Sequence, residues 1–244
     1  MIDDGSTDGT GKMLTEYYPE VNVIKGDGNL WWTGGVNVGI EAALSQGADY
    51  CLTLNDDTIL PEEYLANMVA WAKQKPEAVI GSLEKDASTK QVIYGGEYCD
   101  ERTVTYLLET LPPDEQAGIH PVTTLPGRGL WIPRVVFEKI GFFDRKRFPH
   151  YLADYDFTYN AFRAGFEMYI NYDAFLYTFP EACGANENMV TKTLKGYYNH
   201  LFSIRGGANL RDFTRYTLKN CPPKHMPRRF IEGYARRLLG YWVS

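Results

Sequence analysis

The 244-residue sequence predicts an α/β protein with a mostly parallel sheet flanked by helices, followed by C-terminal amphipathic helices. Two observations lead to this prediction. Short apolar runs typical of strands alternate along the chain with segments of helical periodicity. The clearest run, residues 50–54, stops at three polar residues, Asn55, Asp56 and Asp57. Open α/β sheets bind ligands at such strand ends.

The first ten residues predict a strand end that turns into a helix reaching about Tyr18. Candidate caps for this helix are Ser6, Thr7 and Asp8. Only Met1 and Ile2 precede the polar turn, whereas strands commonly have about five or six residues. We therefore expect the first strand to be short or missing.

A short strand at 21–25 is followed by a glycine-rich segment, residues 26–39, with five glycines in fourteen positions. Glycines allow a ligand to approach the backbone closely, and a helix starting near Gly35 would direct its amide groups at an anion. The alternative is a tight loop in which Trp31 and Trp32 belong to the core, and for Trp31 we favour this alternative.

Asp56 and Asp57 have two interpretations. Adjacent carboxylates at a strand end repel each other unless a cation lies between them, and oxygen ligands favour Mg²⁺ or Mn²⁺. Alternatively, Asp57 or Thr58 caps a helix predicted at about 61–74. The residues alone leave both interpretations open.

The middle of the chain predicts a strand at 78–82 and weakly defined strands and loops at 83–124. Gly127 and Gly129 flank Arg128, ahead of a strand at 130–132 and a helix from Pro133 to Gly141. Arg128 either meets a phosphate or balances the surrounding acids.

Asp154 and Asp156 precede a helix predicted at 157–164, and a strand is predicted at 167–171. A base that deprotonates a hydroxyl group needs a carboxylate within hydrogen-bonding reach, with a proton affinity tuned by burial and a second acid. The alternative is that both residues are helix caps or exposed acids.

The last 44 residues hold nine Lys or Arg against two acids, in a chain of net charge −6. They predict amphipathic helices separated at Pro222 and Pro223. Their arginine pairs, at 228–229 and 236–237, contact an anionic membrane surface or simply belong to packed helices. No nucleic-acid motif is present, and we expect no nucleic-acid partner. We divide the chain into a domain at 1–190 and a basic, aromatic extension at 191–244.

The four cysteines, at 51, 99, 183 and 221, show no metal-binding spacing and are interpreted as free thiols. No signal peptide and no apolar run of about 18 residues is evident. We therefore expect a cytoplasmic protein, with membrane contact limited to the inner face.

The segments at residues 3–10, 26–39, 54–58 and 125–157 together resemble the family 2 glycosyltransferases, which are inverting enzymes with the GT-A fold, a Rossmann-like sheet architecture. The resemblance covers most of the chain. It implies that Asp3 or Asp4 contacts the nucleobase and that Asp154 is the general base, supported by Asp156. It implies that the nucleotide-sugar is contacted by Trp32, Gly34, Asn37, Asp56 and Arg128. It also implies that Asp56 and Asp57 bind Mn²⁺ or Mg²⁺.

The chain departs from the family pattern at Ala153, where Glu is usual, and at Asn160, where a basic residue is common. No histidine follows the strand at 167–171 to complete a metal shell, so the metal would depend on Asp56, Asp57, phosphates and water. The resemblance implies metal-dependent sugar transfer from a nucleotide-diphosphate sugar to a glycan or lipid-linked acceptor. The alternatives are a truncated, non-catalytic homologue or subunit, and a sugar-phosphate nucleotidyltransferase.

Overall fold

A computed structural model describes residues 1–100, 102, 104–180 and 192–243. Cys183 and the end of the predicted 1–190 domain lie outside the described residues. The helices are α1 Thr10–Tyr17, α2 Trp31–Ser45, α3 Tyr64–Gln74, α4 Arg134–Ile140, α5 Ala153–Arg163, α6 Leu194–Phe202, α7 Leu210–Asn220 and α8 Met226–Val243. The strands are β1 Ile2–Asp3, β2 Ile24–Lys25, β3 Tyr50–Thr53, β4 Thr58–Ile59, β5 Val79–Asp86, β6 Val92–Tyr94, β7 Glu97–Asp100, β8 Thr105–Leu108, β9 Ile119–Pro121, β10 Leu130–Pro133 and β11 Met168–Thr178.

The central sheet has the strand order β3-β10-β5-β11-β4, with β6 beside β5 and β9 beside β11. Strands β5 and β11 pair in parallel, and β10 pairs antiparallel with both β3 and β5. Strands β3, β5 and β11 therefore run in one direction, and the sheet is mixed because β10 returns between two of them. The α/β fold class is confirmed.

Helices cover both faces of this sheet. On one face α3 buries Tyr64, Met68 and Ala72 against Ile80 and Leu176. On the other face the buried side chains come from four helices and from the strands. The helical contributions are Ile40 of α2, Val136 and Phe137 of α4, Phe157 and Ala161 of α5, and Tyr216 of α7. Continuous burial along β5 fits a strand that is covered on both sides.

The C-terminal helices pack against the body of the protein. Lys219 of α7 forms salt bridges with Asp156 of α5 (2.6 Å) and Asp144 (3.2 Å). The hydroxyl groups of Tyr216 and Tyr106 are hydrogen-bonded, which links α7 to β8. Helix α8 presents Gly233 to the ring of Phe213 in α7. In the described residues, no helix is both long enough and apolar enough to cross a bilayer.

Several boundaries differ from those predicted. Helix α2 begins at Trp31 rather than near Gly35, because the Asp4 carboxylate accepts hydrogen bonds from the Leu30 and Trp31 amides. Helix α5 begins at Ala153 rather than at 157. The segment 83–124, expected to be weakly defined, continues β5 to Asp86 and contributes β6, β7, β8 and β9.

Candidate functional site

The carboxyl end of β3 carries the Asn55-Asp56-Asp57 turn. Two hydrogen bonds hold Asn55 in place. Its side-chain oxygen accepts one from Trp32 Nε1 (3.0 Å), and its backbone carbonyl accepts one from Thr58 Oγ1 (2.7 Å). Thr58 lies in β4 and α3 starts only at Tyr64, so the helix-cap interpretation of Asp57 and Thr58 is wrong. Asp56 is exposed, and Asp57 Oδ1 is buried without a hydrogen-bond partner in the described structure.

Arg128 lies between the acidic groups of the site. Its Nη1 donates to Glu84 Oε2 (3.1 Å), and its Nη2 lies 3.9 Å from Asp57 Oδ2. The Arg128 side chain is only 23% exposed, and its Nε is buried without a hydrogen-bond partner among the described residues. Both of the functions predicted for Arg128 therefore fit the geometry: it balances acids, and it retains a donor for an anionic ligand.

Asp154 lies at the start of α5, beside the loop that leads into β10. Its Oδ2 accepts a hydrogen bond from Gly127 N (2.9 Å), and its Oδ1 accepts one from Tyr155 N (2.9 Å). Burial raises the pKa of Asp154, against the opposing effect of these amides and of Arg128. The residue as a whole is partly buried. Such a carboxylate has the properties of a general base.

Asp156 does not support Asp154, contrary to the expectation from the sequence. Its carboxylate accepts hydrogen bonds from Lys219 Nζ (2.6 Å) and Asn220 Nδ2 (2.9 Å), and the residue is 1% exposed. The physical reason is the early start of α5. Two residues along a helix are rotated by about 200°, so Asp154 and Asp156 point to opposite sides. Asp156 anchors α7.

Asp3 and Asp4 have different surroundings at the end of β1. Asp4 uses both side-chain oxygens on backbone amides, with Gly28 N at 2.8 Å from Oδ1 and Leu30 N at 2.9 Å from Oδ2. It therefore holds the glycine-rich segment in place. Asp3 accepts a hydrogen bond from Ser6 N (2.9 Å), and the hydroxyl and amide of Ser6 lower the pKa of its carboxyl group. Asp3 is 9% exposed, and Asp4 is partly buried.

Trp32, Gly34 and Asn37 all lie on α2, which the structure brings to the site. The Trp32 indole packs against Gly127, where a side chain would collide with it, and Gly127 also contacts Asp154. A Cβ at Gly34 would lie 2.9 Å from Arg145 Nε, so this glycine makes room for that side chain. The Asn37 amide exchanges two hydrogen bonds with the backbone of Phe143 (2.9 and 3.1 Å). Asn37 thus positions a loop rather than offering a free amide.

Glu84 and Glu97 were not predicted as site residues. Burial raises the pKa of both carboxyl groups to about 7. The charge on Asp154 contributes to both increases, whereas Arg128 lowers the pKa of Glu84 and Tyr155 lowers that of Glu97. Both residues lie in the segment from 83 to 124, which shows no clear helical or strand periodicity. Sequence spacing does not indicate that this segment lies beside Asp154.

The described residues include no group of three or more His, Cys, Asp or Glu side chains arranged to hold a metal ion. Asp56 and Asp57 nevertheless suit a divalent cation, because the buried Asp57 Oδ1 lacks a hydrogen-bond partner in the described part of the chain. A cation bound there would take its other ligands from water and from phosphate oxygens.

Comparisons with known proteins identify similar sequences and similar folds. Residues 1–111 match the model of glycosyl transferase family 2. Two curated relatives, both N-acetylglucosaminyl-diphospho-decaprenol L-rhamnosyltransferases of Mycobacterium tuberculosis strains, are 28% identical over 191 residues. That alignment covers 68% of this chain and 61% of each relative, so the chain spans less than two thirds of their length.

Solved structures share the fold. GalNAc-T7, crystallised with UDP, GalNAc and Mn²⁺, matches with a TM-score of 0.61 and 13% identity, covering 99% of this chain and 51% of that protein. The mannosyltransferase PcManGT from Pyrobaculum calidifontis, in complex with GDP-Man and Mn²⁺, matches with a TM-score of 0.57 and 15% identity. This match covers 98% of this chain and 62% of PcManGT. The chain is therefore similar to the family 2 glycosyltransferases over its first 111 residues, and it has the GT-A fold.

Proposed function

We propose that the protein transfers a sugar from a nucleotide-diphosphate sugar to a glycan or lipid-linked acceptor, with inversion, in the synthesis of cell-surface polysaccharide. The observation that carries the proposal is the convergence of Asp57, Arg128 and Asp154 at the end of the sheet. This arrangement offers an anionic site for a cation, a guanidinium for a phosphate and a base of raised pKa.

Asp56 and Asp57 would hold Mn²⁺ or Mg²⁺, which would neutralise charge on the departing diphosphate when bound. Arg128 offers that diphosphate a second positive charge. Asp154 takes the proton of the acceptor hydroxyl group as its oxygen bonds to the anomeric carbon, while the bond from that carbon to the diphosphate oxygen breaks. One displacement with one base inverts the configuration at that carbon.

On the donor side, Asp3 supplies a carboxylate for an N–H group of the nucleobase, and Trp32 forms one wall of the pocket. Asp4, Gly34 and Asn37 shape this pocket through their backbone and packing contacts. For the acceptor, the names of the curated relatives support a sugar attached to a lipid diphosphate.

Titration calorimetry tests the donor site. We expect UDP, GDP or dTDP to bind in the presence of Mn²⁺, and Asp57→Ala to weaken this binding at least about tenfold because it removes a buried ligand oxygen. The matched control is Asp114→Ala, which removes an exposed aspartate outside the site. Binding that is equally strong without Mn²⁺, or unchanged in Asp57→Ala, would contradict the metal assignment. Binding of none of the three nucleotides would contradict the donor site itself.

We also propose contact with an anionic membrane surface through α6 and α8. Tyr198 and Phe202 of α6 are 63% and 54% exposed, and Ile231 and Leu239 of α8 are 72% and 64% exposed. Arg228 and Arg236 are exposed on α8, whereas Arg229 and Arg237 turn inward towards Phe213. Exposed apolar groups next to basic groups suit an anionic lipid surface.

We therefore expect the protein to float with vesicles that contain anionic phospholipid and not with neutral vesicles. Converting both Arg228 and Arg236 to Glu should remove this flotation, since each arginine contributes about 1 kcal/mol near such a surface. Arg102→Glu, at a 77% exposed side chain, is the control for one charge reversal outside α6 and α8, and each single variant of α8 is compared with it. Equal flotation of the double variant and the wild type would exclude these helices as the contact.

A further inference from the structure

The side chains of Trp31, His150 and Arg205 form a cluster next to the candidate donor pocket. The guanidinium carbon of Arg205 lies 5.7 Å from the centre of the Trp31 ring, and the centre of the His150 ring lies 6.0 Å from it. Trp31 is half-buried and belongs to neither hydrophobic core cluster of the described residues, whereas Trp32 packs against the larger one. The core position expected for Trp31 from the sequence is therefore wrong.

Hydrogen bonds hold Trp31 and His150 next to each other. The Trp31 amide donates to the Asp4 carboxylate (3.2 Å) at the start of α2, where Trp31 has a left-handed backbone with a φ of 56°. A tryptophan adopts this conformation only where its surroundings impose it. The segment before His150 is tied to the same turn of α2, because Thr33 Oγ1 donates to the Phe148 carbonyl (2.6 Å).

Arg205 lies in the turn that connects α6 to α7. In this turn the Ser203 carbonyl accepts a hydrogen bond from Gly206 N (2.9 Å). A Cβ at Gly206 would collide with the His200 carbonyl oxygen, so the turn packs closely on the end of α6. The turn directly follows Phe202, which is 54% exposed and belongs to the membrane contact proposed above. Arg205 therefore connects this face of the protein with the first residue of α2.

The cluster contains a cation that no carboxylate neutralises within the described residues. None of the salt bridges there includes Arg205, although the chain has a net charge of −6. Asp4 uses both carboxylate oxygens on backbone amides. His150 Nδ1 is buried and has no hydrogen-bond partner in the described structure. An exposed guanidinium in such a setting suits a phosphate group, which it can bind through two parallel hydrogen bonds.

We propose that Arg205, held over Trp31, binds the diphosphate group of a lipid-linked acceptor. The proposal rests on the proposed function, in which Asp154 takes the proton of the acceptor hydroxyl group. The diphosphate of the donor is assigned there to Arg128 and to a cation at Asp57. Arg205 offers its charge to a second diphosphate, which the acceptor carries between its sugar and its lipid.

Two connections place this cluster near Asp154. His150 precedes Asp154 by four residues. Trp32, which follows Trp31, packs against Gly127, and the Gly127 amide donates to the Asp154 carboxylate (2.9 Å). A diphosphate at the cluster would therefore direct the attached sugar towards the base, while the lipid leaves along the exposed side of α6. This arrangement holds the acceptor hydroxyl group in position for attack.

Calorimetry with geranyl diphosphate in the presence of EDTA tests the site, because EDTA removes the cation that the donor site needs. We expect the wild type to bind this soluble prenyl diphosphate and Arg205→Gln to bind it at least about tenfold more weakly, since a charged hydrogen-bonding partner is lost. The control Arg102→Gln, at a 77% exposed side chain, should bind like the wild type.

Three results of this titration would overturn the proposal. They are the absence of binding by the wild type, equal binding by Arg205→Gln and the wild type, and equally tight binding of inorganic phosphate. The last result would indicate a general anion site rather than one for a lipid diphosphate.

The ring resonances of His150 provide a readout besides affinity. Burial and the charge of Arg205 lower the pKa of this imidazole. A diphosphate bound to Arg205 offsets that charge, so geranyl diphosphate should move the titration of His150 to higher pH in the wild type and not in Arg205→Gln. The resonance is identified by its loss in His150→Gln. A His150 titration that the ligand does not move in the wild type would also overturn the proposal.

Kinetics separate this role from donor binding. With a sugar diphosphate of a short prenol as the acceptor, Arg205→Gln should raise the acceptor KM at least about tenfold and leave kcat within about twofold. Its affinity for nucleotide should equal that of the wild type, and an equally large loss of nucleotide affinity would contradict the proposal. A wild type without turnover would count against the proposed function, while the titrations with geranyl diphosphate still decide the role of Arg205.

Discussion

Replacing Asp154 by Asn should lower the rate of sugar transfer by about 10²- to 10⁴-fold, the range that general-base catalysis contributes. Asparagine cannot accept the proton of the acceptor hydroxyl group, but its amide oxygen can still accept the hydrogen bond from Gly127 N. The fold and nucleotide binding should therefore be almost unchanged. Release of the nucleoside diphosphate measures the rate, and calorimetry measures the binding.

The pH dependence of the wild type provides a second check on Asp154. Burial raises the pKa of this carboxyl group, so the base is ionised above its raised pKa and becomes protonated as the pH falls through that value. Turnover should therefore decline at a pH above the ordinary aspartate range, where the fold is still intact. Normal turnover by Asp154→Asn would exclude Asp154 as the base.

Replacing Asp156 by Ala should destabilise the protein by about 3 kcal/mol, because it leaves Lys219 without its 2.6 Å partner in a buried setting. Lys219 keeps Asp144 at 3.2 Å, which places the expected loss at the lower end of the usual range for a broken buried pair. Urea unfolding followed by tryptophan fluorescence measures the loss as a change in midpoint at constant slope.

A double variant distinguishes the effect of an unpaired charge from that of a packing defect. Adding Lys219→Met to Asp156→Ala removes the ammonium group that lost its Asp156 partner, and this should restore part of the lost free energy of unfolding. A double variant no more stable than Asp156→Ala would show that the loss comes from packing alone. At equal folded fraction, both variants should bind nucleotide like the wild type, because Asp156 faces α7 and not the cleft.

The donor side of the site could be predicted from the sequence because its signals are local. An apolar run that ends at Asn55-Asp56-Asp57 predicts both a strand and a polar edge, and β3 ends at Thr53. The family resemblance implied a role for Asp154 at the site, and the structure places its carboxylate against Gly127 N, in the glycine-flanked loop that carries Arg128.

The rest of the candidate site could not be predicted from the sequence, because it depends on where a helix begins and on contacts between residues far apart in the chain. The predicted helix began at residue 157, which left Asp156 in a loop beside Asp154. Helix α5 in fact begins at Ala153, so the Asp156 side chain points away from that of Asp154. The family resemblance implied that Asn37 contacts the nucleotide-sugar, yet its side-chain amide is hydrogen-bonded to the backbone of Phe143, 106 residues away. The β7–β8 hairpin lies against α5, where the ring of Tyr106 is 4.7 Å from that of Tyr155, and no local pattern encodes this packing.

Long-range contacts at α2 bear on how the protein is made. Thr33 is hydrogen-bonded to the Phe148 carbonyl and Asn37 to the Phe143 backbone, across sequence separations of 115 and 106 residues. During synthesis the first 111 residues, which match the family model, leave the ribosome before these partners exist. Contacts of this length form late, because loop closure must come first. The packing of α2 against residues 143–149 is therefore completed only once those residues have emerged.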